Sequence, residues 1–424
     1  MRNSIQNCII VFIILAIGCN FAFTKPSQTL TINGFLLTAS SDYSLENHQE
    51  LVDYLEGASS STPYLDKVEI RTNTEDFELA KQKYALRFYT KGFGETKYNR
   101  ELTATIADAY NLEHQVYFNI ALTKRYNLII EYFEAVDLLG IYKELDAVYS
   151  DRVAVLKKQS GTLEFDIGEY IKAENQYTEL QLDLVKTENK LTGLIHKIHL
   201  TAGSDAEVSF DRSSVITVDE IEQMLKHLSI NPSADNIYLQ DRKNKIERER
   251  LKYNIEKAQS RDYISYLEVE FDQDNHLKGD KAYSLDLAIK LPFINSDQED
   301  VNRRKVNYIE EKLKYEDEKR DAAERIKSRL RSLDRYIHQY KILAERKQKD
   351  DGQNPLDIYM KMDGVNPLSL LEMRENIIRY DRQQNEIFTS ILLEYVELLD
   401  LMGKLSEKPL RCYISKGMEP LNER

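Results

Sequence analysis

The sequence predicts a mainly α protein with a small β part, built from two copies of a strand, strand, long helix, turn, long helix unit. Three observations predict it. Long stretches repeat apolar residues every three or four positions, four short segments alternate apolar with polar residues, and the order of these elements occurs twice.

The chain opens with Met1-Arg2 and an apolar stretch from Ile9 to Ile17, too short to span a bilayer but suited to the core of a secretory signal. Residues 1–24 are read as that signal, with cleavage after Gly18 or near Thr24. Cys19 follows Ala16-Ile17-Gly18 and is a candidate for lipidation; the other reading is an apolar residue discarded with the signal. Residues 25–63 form an N-terminal segment with one short amphipathic piece, Leu45 to Leu55.

The first repeat is assigned to residues 64–200. Val68, Ile70 and Thr72 alternate with Glu69, Arg71 and Asn73, and Tyr84, Leu86 and Phe88 with Ala85, Arg87 and Tyr89, which is the pattern of strands with one apolar and one polar face. Gly92-Phe93-Gly94 marks the bend into a helix. From Asn99 to Leu156 there is no Pro, and Leu128, Tyr132, Ala135, Leu139, Tyr142, Tyr149, Val153 and Leu156 recur at gaps of fours and threes. A period near 3.5 is the signature of coiled-coil packing, and about 60 residues make a rod of roughly 90 Å. The same period returns at Leu180, Leu184, Thr187, Leu191, Leu194 and Ile198. A turn containing Gly161 joins the two helices.

A connecting segment, residues 201–230, leads to the second repeat at residues 231–404 and a tail, 405–424. Asn231-Pro232 opens a helix that runs to about Arg261. Leu267, Val269 and Phe271 then alternate with acidic residues, a turn-rich stretch spans Asn275 to Gly279, and Tyr283, Leu285, Leu287, Ile289 and Leu291 alternate with polar or small ones. Coiled-coil spacing follows at Ile326, Leu330, Leu333, Ile337, Tyr340 and Ala344, and less regularly at Ile377, Tyr380, Ile387, Ile391, Leu398 and Leu401. Tyr84 aligns with Tyr283 at an offset of 199 and Gly161 with Gly364 at 203, so the chain is an internal duplication.

Charged residues make up 30% of the chain and the net charge is -13, which argues against a nucleic-acid or anionic-lipid surface partner for the chain as a whole. No cofactor or metal is expected: the seven His show no ligand spacing, no phosphate loop, nucleophile elbow or dinucleotide fingerprint appears, and the 71 acidic residues single out no catalytic pair. An enzyme is not expected. No segment after the signal has the roughly 18 apolar residues of a membrane-spanning helix, so a membrane crossing would fall to strands. Four strands cannot close a barrel, and several copies would have to share one. A soluble sheet with one face on the helices remains the other reading of the same alternation.

The run from Tyr283 to Asn295, with Leu291-Pro292-Phe293 leading into a polar helix, resembles the "slPlF" segment of TolC-like outer-membrane efflux proteins. Gly364-Val365-Asn366-Pro367-Leu368 resembles that family's helix-hairpin turn, and Ser160-Gly161-Thr162-Leu163 is its looser counterpart in the first repeat. The likeness spans about residues 64 to 404 and rests on the order and recurrence of motifs. It implies a homotrimer with a twelve-stranded barrel in the outer membrane of a Gram-negative bacterium and helices in the periplasm. A periplasmic adaptor would dock on the hairpin tips (Gly161, Leu163, Ile167, Gly364, Val365, Pro367 and Leu368) and work with an inner-membrane transporter. Asp166 and Asp363 become candidates for a pore gate, and Leu285, Leu287, Ile289 and Leu291 for the lipid-facing strand. The chain departs from the family in its short first helix and in having no Trp, although 27 Tyr could form an interfacial girdle. An envelope coiled-coil protein or lipoprotein with no pore is the alternative.

Overall fold

A computed structural model describes residues 29–57, 63–74, 78, 81–161, 165–228, 236–279, 282–290, 298–351 and 366–421. The first repeat comprises α1 (Ile32–Leu37), α2 (Tyr43–Gly57), β1 (Leu65–Thr74), β2 (Gln82–Thr90), α3 (Glu95–Gln159) and α4 (Ile167–Ala202). After the short α5 (Val218–His227), the second comprises α6 (Ile237–Gln259), β3 (Ile264–Asp272), α7 (Gln273–Lys278), β4 (Tyr283–Ile289), α8 (Gln298–Asp351) and α9 (Pro367–Leu401). The duplicated order is therefore present. Its first unit opens on the 15 residues of α2 where the second has the 23 of α6, as the short Leu45–Leu55 piece implied.

Helix ends follow from local chemistry. Thr217 and Glu220 make a reciprocal capping box on α5, Asp166 caps α4, and Asn366 with Pro367 opens α9. Two expectations are corrected. Helix α6 starts at Ile237 on an Asn236 cap, and Asn231-Pro232 lies outside the described residues. The stretch read as a turn after β3 is largely the short helix α7.

The long helices form a layer in the order α4, α3, α9, α8, each packed on the next. Antiparallel α3 and α4 pack on one another, and Leu128, Ala135 and Leu156 of α3 and Leu180, Leu194 and Ile198 of α4 are all buried. Inner helices α3 and α9 touch a neighbour on both sides, so more is buried on them than one heptad seam. Ile129, Ile130, Phe133, Leu145 and Val148 of α3 are enclosed, and at the start of α9 it is Ile378 that is buried while Ile377 is exposed.

Nearer the strands, α6 packs against α3 and α8. It continues the line of α9: Tyr238 at the start of α6 and Asp400 at the end of α9 both meet Asn119 of α3. In the same way the end of α4 and the start of α2 meet at Arg125 of α3. Butted helix ends leave orphan amides and carbonyls that must be satisfied away from water. Asn236 caps α6 and donates to the carbonyl of Leu401 at 2.9 Å. Arg125 is fully buried and donates to Thr38 Oγ1, Asp42, and the carbonyls of Thr38, Ala121 and Thr201 at 3.0–3.1 Å. The two joints sit in a belt closed by the C-terminal tail, where Tyr126 donates to the Arg411 carbonyl and the core continues through Cys412 and Ile414. Burial pushes the Cys412 thiol up to about 11 and the Asp400 carboxyl above its ordinary value, against the opposing hydrogen bonds from Tyr238, Thr123 and Asn119.

Candidate functional site

Strands β1 to β4 form one antiparallel sheet in sequence order. Ile70 pairs with Leu86, Leu86 with Val269, and Val269 with Leu285; one row on, Val68, Phe88, Leu267 and Leu287 align. Because successive side chains point to opposite faces, this register collects the apolar residues of all four strands on one face. That face is bare. Ile70 is 80% exposed, Leu285 67%, Ile289 63% and Leu287 54%. Leu291 lies outside the described residues. Among the described residues, the short α7 is the one helix with substantial contact with a strand, β2.

The opposite face is charged and internally paired. Arg87 bridges from β2 to Glu268 of β3, whose residue is only 7% exposed, and stacks 3.8 Å over the Tyr266 ring. Lys83 reaches Asp272 at 3.6 Å, and Glu69 gathers Lys67, Arg71 and the Tyr89 hydroxyl. A sheet made to sit on a soluble core would cover its apolar face and leave the charges in water; here the apolar face is the uncovered one. Among the described residues no helix is long and apolar enough to cross a membrane.

Both layers end in open edges. Strands β1 and β4 each pair on one side only, and the outer helices carry exposed apolar residues at helical spacing: Ile167, Ile171, Leu182 and Val185 on α4, and Val306, Ile309 and Leu313 on α8. Unpaired strand edges and exposed apolar stripes of this kind mark surfaces that a further chain or lipid covers.

At the far end of the helices, Gly161 and Ile167 belong to the first tip, and Ile167 is 65% exposed. Gly161 has no left-handed φ and open space where a Cβ would stand, so the freedom of glycine is not what reverses the chain there. Asp166, a gate candidate, caps α4 by accepting from Gly168 and Glu169 amides at 2.7 and 3.3 Å. Pro367 and Leu368 form the first turn of α9, on the Asn366 cap. Leu163, Gly364, Val365 and Asp363, like Cys19, lie outside the described residues.

Sequence reasoning did not find one polar contact between the two hairpins. Glu375 of α9, buried, accepts from the Tyr149 hydroxyl at 2.8 Å and pairs with Arg152 of α3 at 3.4 Å and with Arg379 at 2.6 Å; Arg152 also reaches Glu372 at 3.5 Å. Only the i, i+4 spacing of Glu375 and Arg379 was visible beforehand. Removing the carboxylate leaves a largely buried Arg152 short of its partner. Glu375→Ala is expected to cost about 2–4 kcal/mol, read as a lowered Tm of the solubilised protein, with Lys186→Ala on exposed α4 as a near-neutral control.

Among the described residues no group of His, Cys, Asp and Glu could hold a metal ion. No protein-family model matches the sequence, and no curated protein matches it. Solved structures do match. The outer membrane protein VceC from Vibrio cholerae superposes with a TM-score of 0.64 at 13% identity, over 88% of this chain and 96% of that one. The Neisseria gonorrhoeae MtrE outer membrane channel, in its open state, gives 0.65 at 9% identity over 88% of each chain, and CusC gives 0.63 at 11% identity over 88% and 92%. With its two strand pairs, its paired long helices and their order in the chain, this protein has the fold of the TolC-like outer-membrane channels.

Proposed function

We propose that the chain is the outer-membrane channel subunit of an efflux or type I secretion-like system, a passive conduit from periplasm to exterior that works as a homotrimer in a Gram-negative cell. The observation that carries this reading is the four-stranded sheet with a bare apolar face, a charged opposite face and two open edges. Four strands from each of three copies would close a twelve-stranded barrel with lipid outside and the ion-paired face lining water. That TolC-like channels are trimeric supports the count of three.

The helices continue the barrel as a periplasmic tunnel whose outer helices α4 and α8 meet across copies. The hairpin tips around Gly161 and Ile167 and around Pro367 and Leu368 are the docking ends for a periplasmic adaptor, which links the channel to an inner-membrane transporter. Leu163, Gly364 and Val365 belong to the same tips by sequence, and Asp166 and Asp363 are the candidates for a pore gate there. Opening that mouth requires the Glu375 contacts with Tyr149 and Arg152 to part. Purified protein added to planar lipid bilayers is expected to give stepwise ion conductance, increased by Glu375→Ala; a chain that inserts and conducts nothing refutes the conduit.

A further inference from the structure

Where the sheet passes into the helices, the β2–α3 link and the last turn of α6 enclose a cleft of about 870 Å³. Its floor is rigid. A Cβ on Gly92 would lie 2.1 Å from the Ala258 carbonyl oxygen, so the link and α6 touch backbone to backbone. Buried Glu95 ties them by accepting from the Gly92 amide at 3.1 Å and from Gln259 Nε2 at 3.2 Å. Around this floor stand five cations, Lys91, Lys97, Arg100, Lys257 and Arg261, and one further carboxylate, Glu101, which lies 3.9 Å from Lys97. Phe93 is 94% exposed and Tyr64 76% exposed on the rim, the latter with the Arg100 guanidinium 6.0 Å from its ring.

We infer that this cleft binds the anionic phosphodiester headgroup of a membrane phospholipid. Lys91 follows the last residue of β2 and Arg261 lies three residues before β3, so the cations stand where the apolar sheet face ends. An anionic group held there would extend acyl chains along that face, and Phe93 and Tyr64 have the amphipathic or apolar rings suited to the same depth. Cations of this density attract anionic headgroups strongly when close to the surface. The inference rests on the proposed placement of the sheet in a bilayer.

The test uses the full chain extracted in neutral detergent, with lipids retained on the oligomer counted by native mass spectrometry after exchange with phosphatidylglycerol or with phosphatidylcholine. Wild type is expected to retain phosphatidylglycerol at least about tenfold better. The variant Lys91→Gln, Arg100→Gln, Lys257→Gln, Arg261→Gln is expected to lose that preference, and Arg261→Gln alone to lose part of it. A control variant that removes cations elsewhere, Lys319→Gln, Lys327→Gln, Arg331→Gln, Arg335→Gln on α8, should keep it. Inorganic phosphate at millimolar concentration should not compete; if it does, the site takes free phosphate and the lipid inference is overturned. Equal retention of both lipids by wild type, or an unchanged preference in the fourfold variant, overturns it too. Heat-modifiable gel migration, measured on every sample, separates the outcomes: a wild type that lacks it contradicts the barrel itself, while a heat-modifiable wild type with no lipid preference contradicts only the cleft.

Discussion

Replacing Arg125 by Ala is expected to lower stability by about 3–5 kcal/mol and to release α1 and α2 from the helix layer. Arg125 is enclosed where the end of α4 and the start of α2 butt together, and its donors serve two side chains and three carbonyls. Without it, the Thr38 and Thr201 carbonyls stay buried with a donor missing, and Asp42 loses its cation. A Met at the same place fills the volume but not the acceptors, so it should recover less than half of the loss. Chemical unfolding of the solubilised protein measures the cost, and limited proteolysis near residues 29–57 reads the release. Burial raises the Asp42 carboxyl, but hydrogen bonds from Ser44 and Arg125 outweigh it and hold the group below its ordinary 3.8. A carboxyl depressed in the fold contributes stability that is present above 3.8 and lost as pH falls below it. Acid should therefore loosen α2 in wild type, and in Arg125→Ala this part of the acid sensitivity should shrink.

Leu287→Arg is expected to cost about 2–4 kcal/mol in vesicles, whereas Ser284→Arg should be near neutral. Leu287 stands opposite Leu267 on the apolar face, in the middle of β4; Ser284 stands opposite Glu270 on the charged face, where a guanidinium gains a cross-strand carboxylate. In an isolated subunit in water Leu287 is already 54% exposed, so exchanging it there would cost little. The large asymmetry appears only when the apolar face meets lipid. Urea unfolding of both variants from vesicles decides it, and equal tolerance at the two sites would place the sheet in water.

Much of this architecture was legible because the rules behind it are periodic. The alternation from Val68 to Phe88 and from Leu267 to Ile289 placed four strands and both their faces, and the spacing from Leu128 to Leu156 placed the seam of α3. Tertiary neighbours decided the rest. Helix α9 lies between two helices, so its buried positions include Ile378, which a single seam centred on Ile377 does not predict. Lys124-Arg125 reads along the chain as a solvated pair, and nothing local shows that two distant segments, at Thr38–Asp42 and at Thr201, converge on Arg125. Glu375 is likewise one of many acidic residues until α3 brings Tyr149 and Arg152 to it. Asn231-Pro232 looked like a helix start because Pro suits a first turn, but Asn236 holds the side-chain cap of α6. At the tips, Gly161 fits the spacing of a hairpin, yet its backbone shows none of the left-handed geometry that singles out glycine.

A closed barrel requires the sheet to be completed by other copies of the chain. Light scattering of detergent-extracted protein, corrected for bound detergent, measures that directly. Three copies per particle are predicted, falling apart when boiled and running as a compact oligomer when not. A stable monomer or dimer would leave β1 and β4 unpaired and would contradict the barrel.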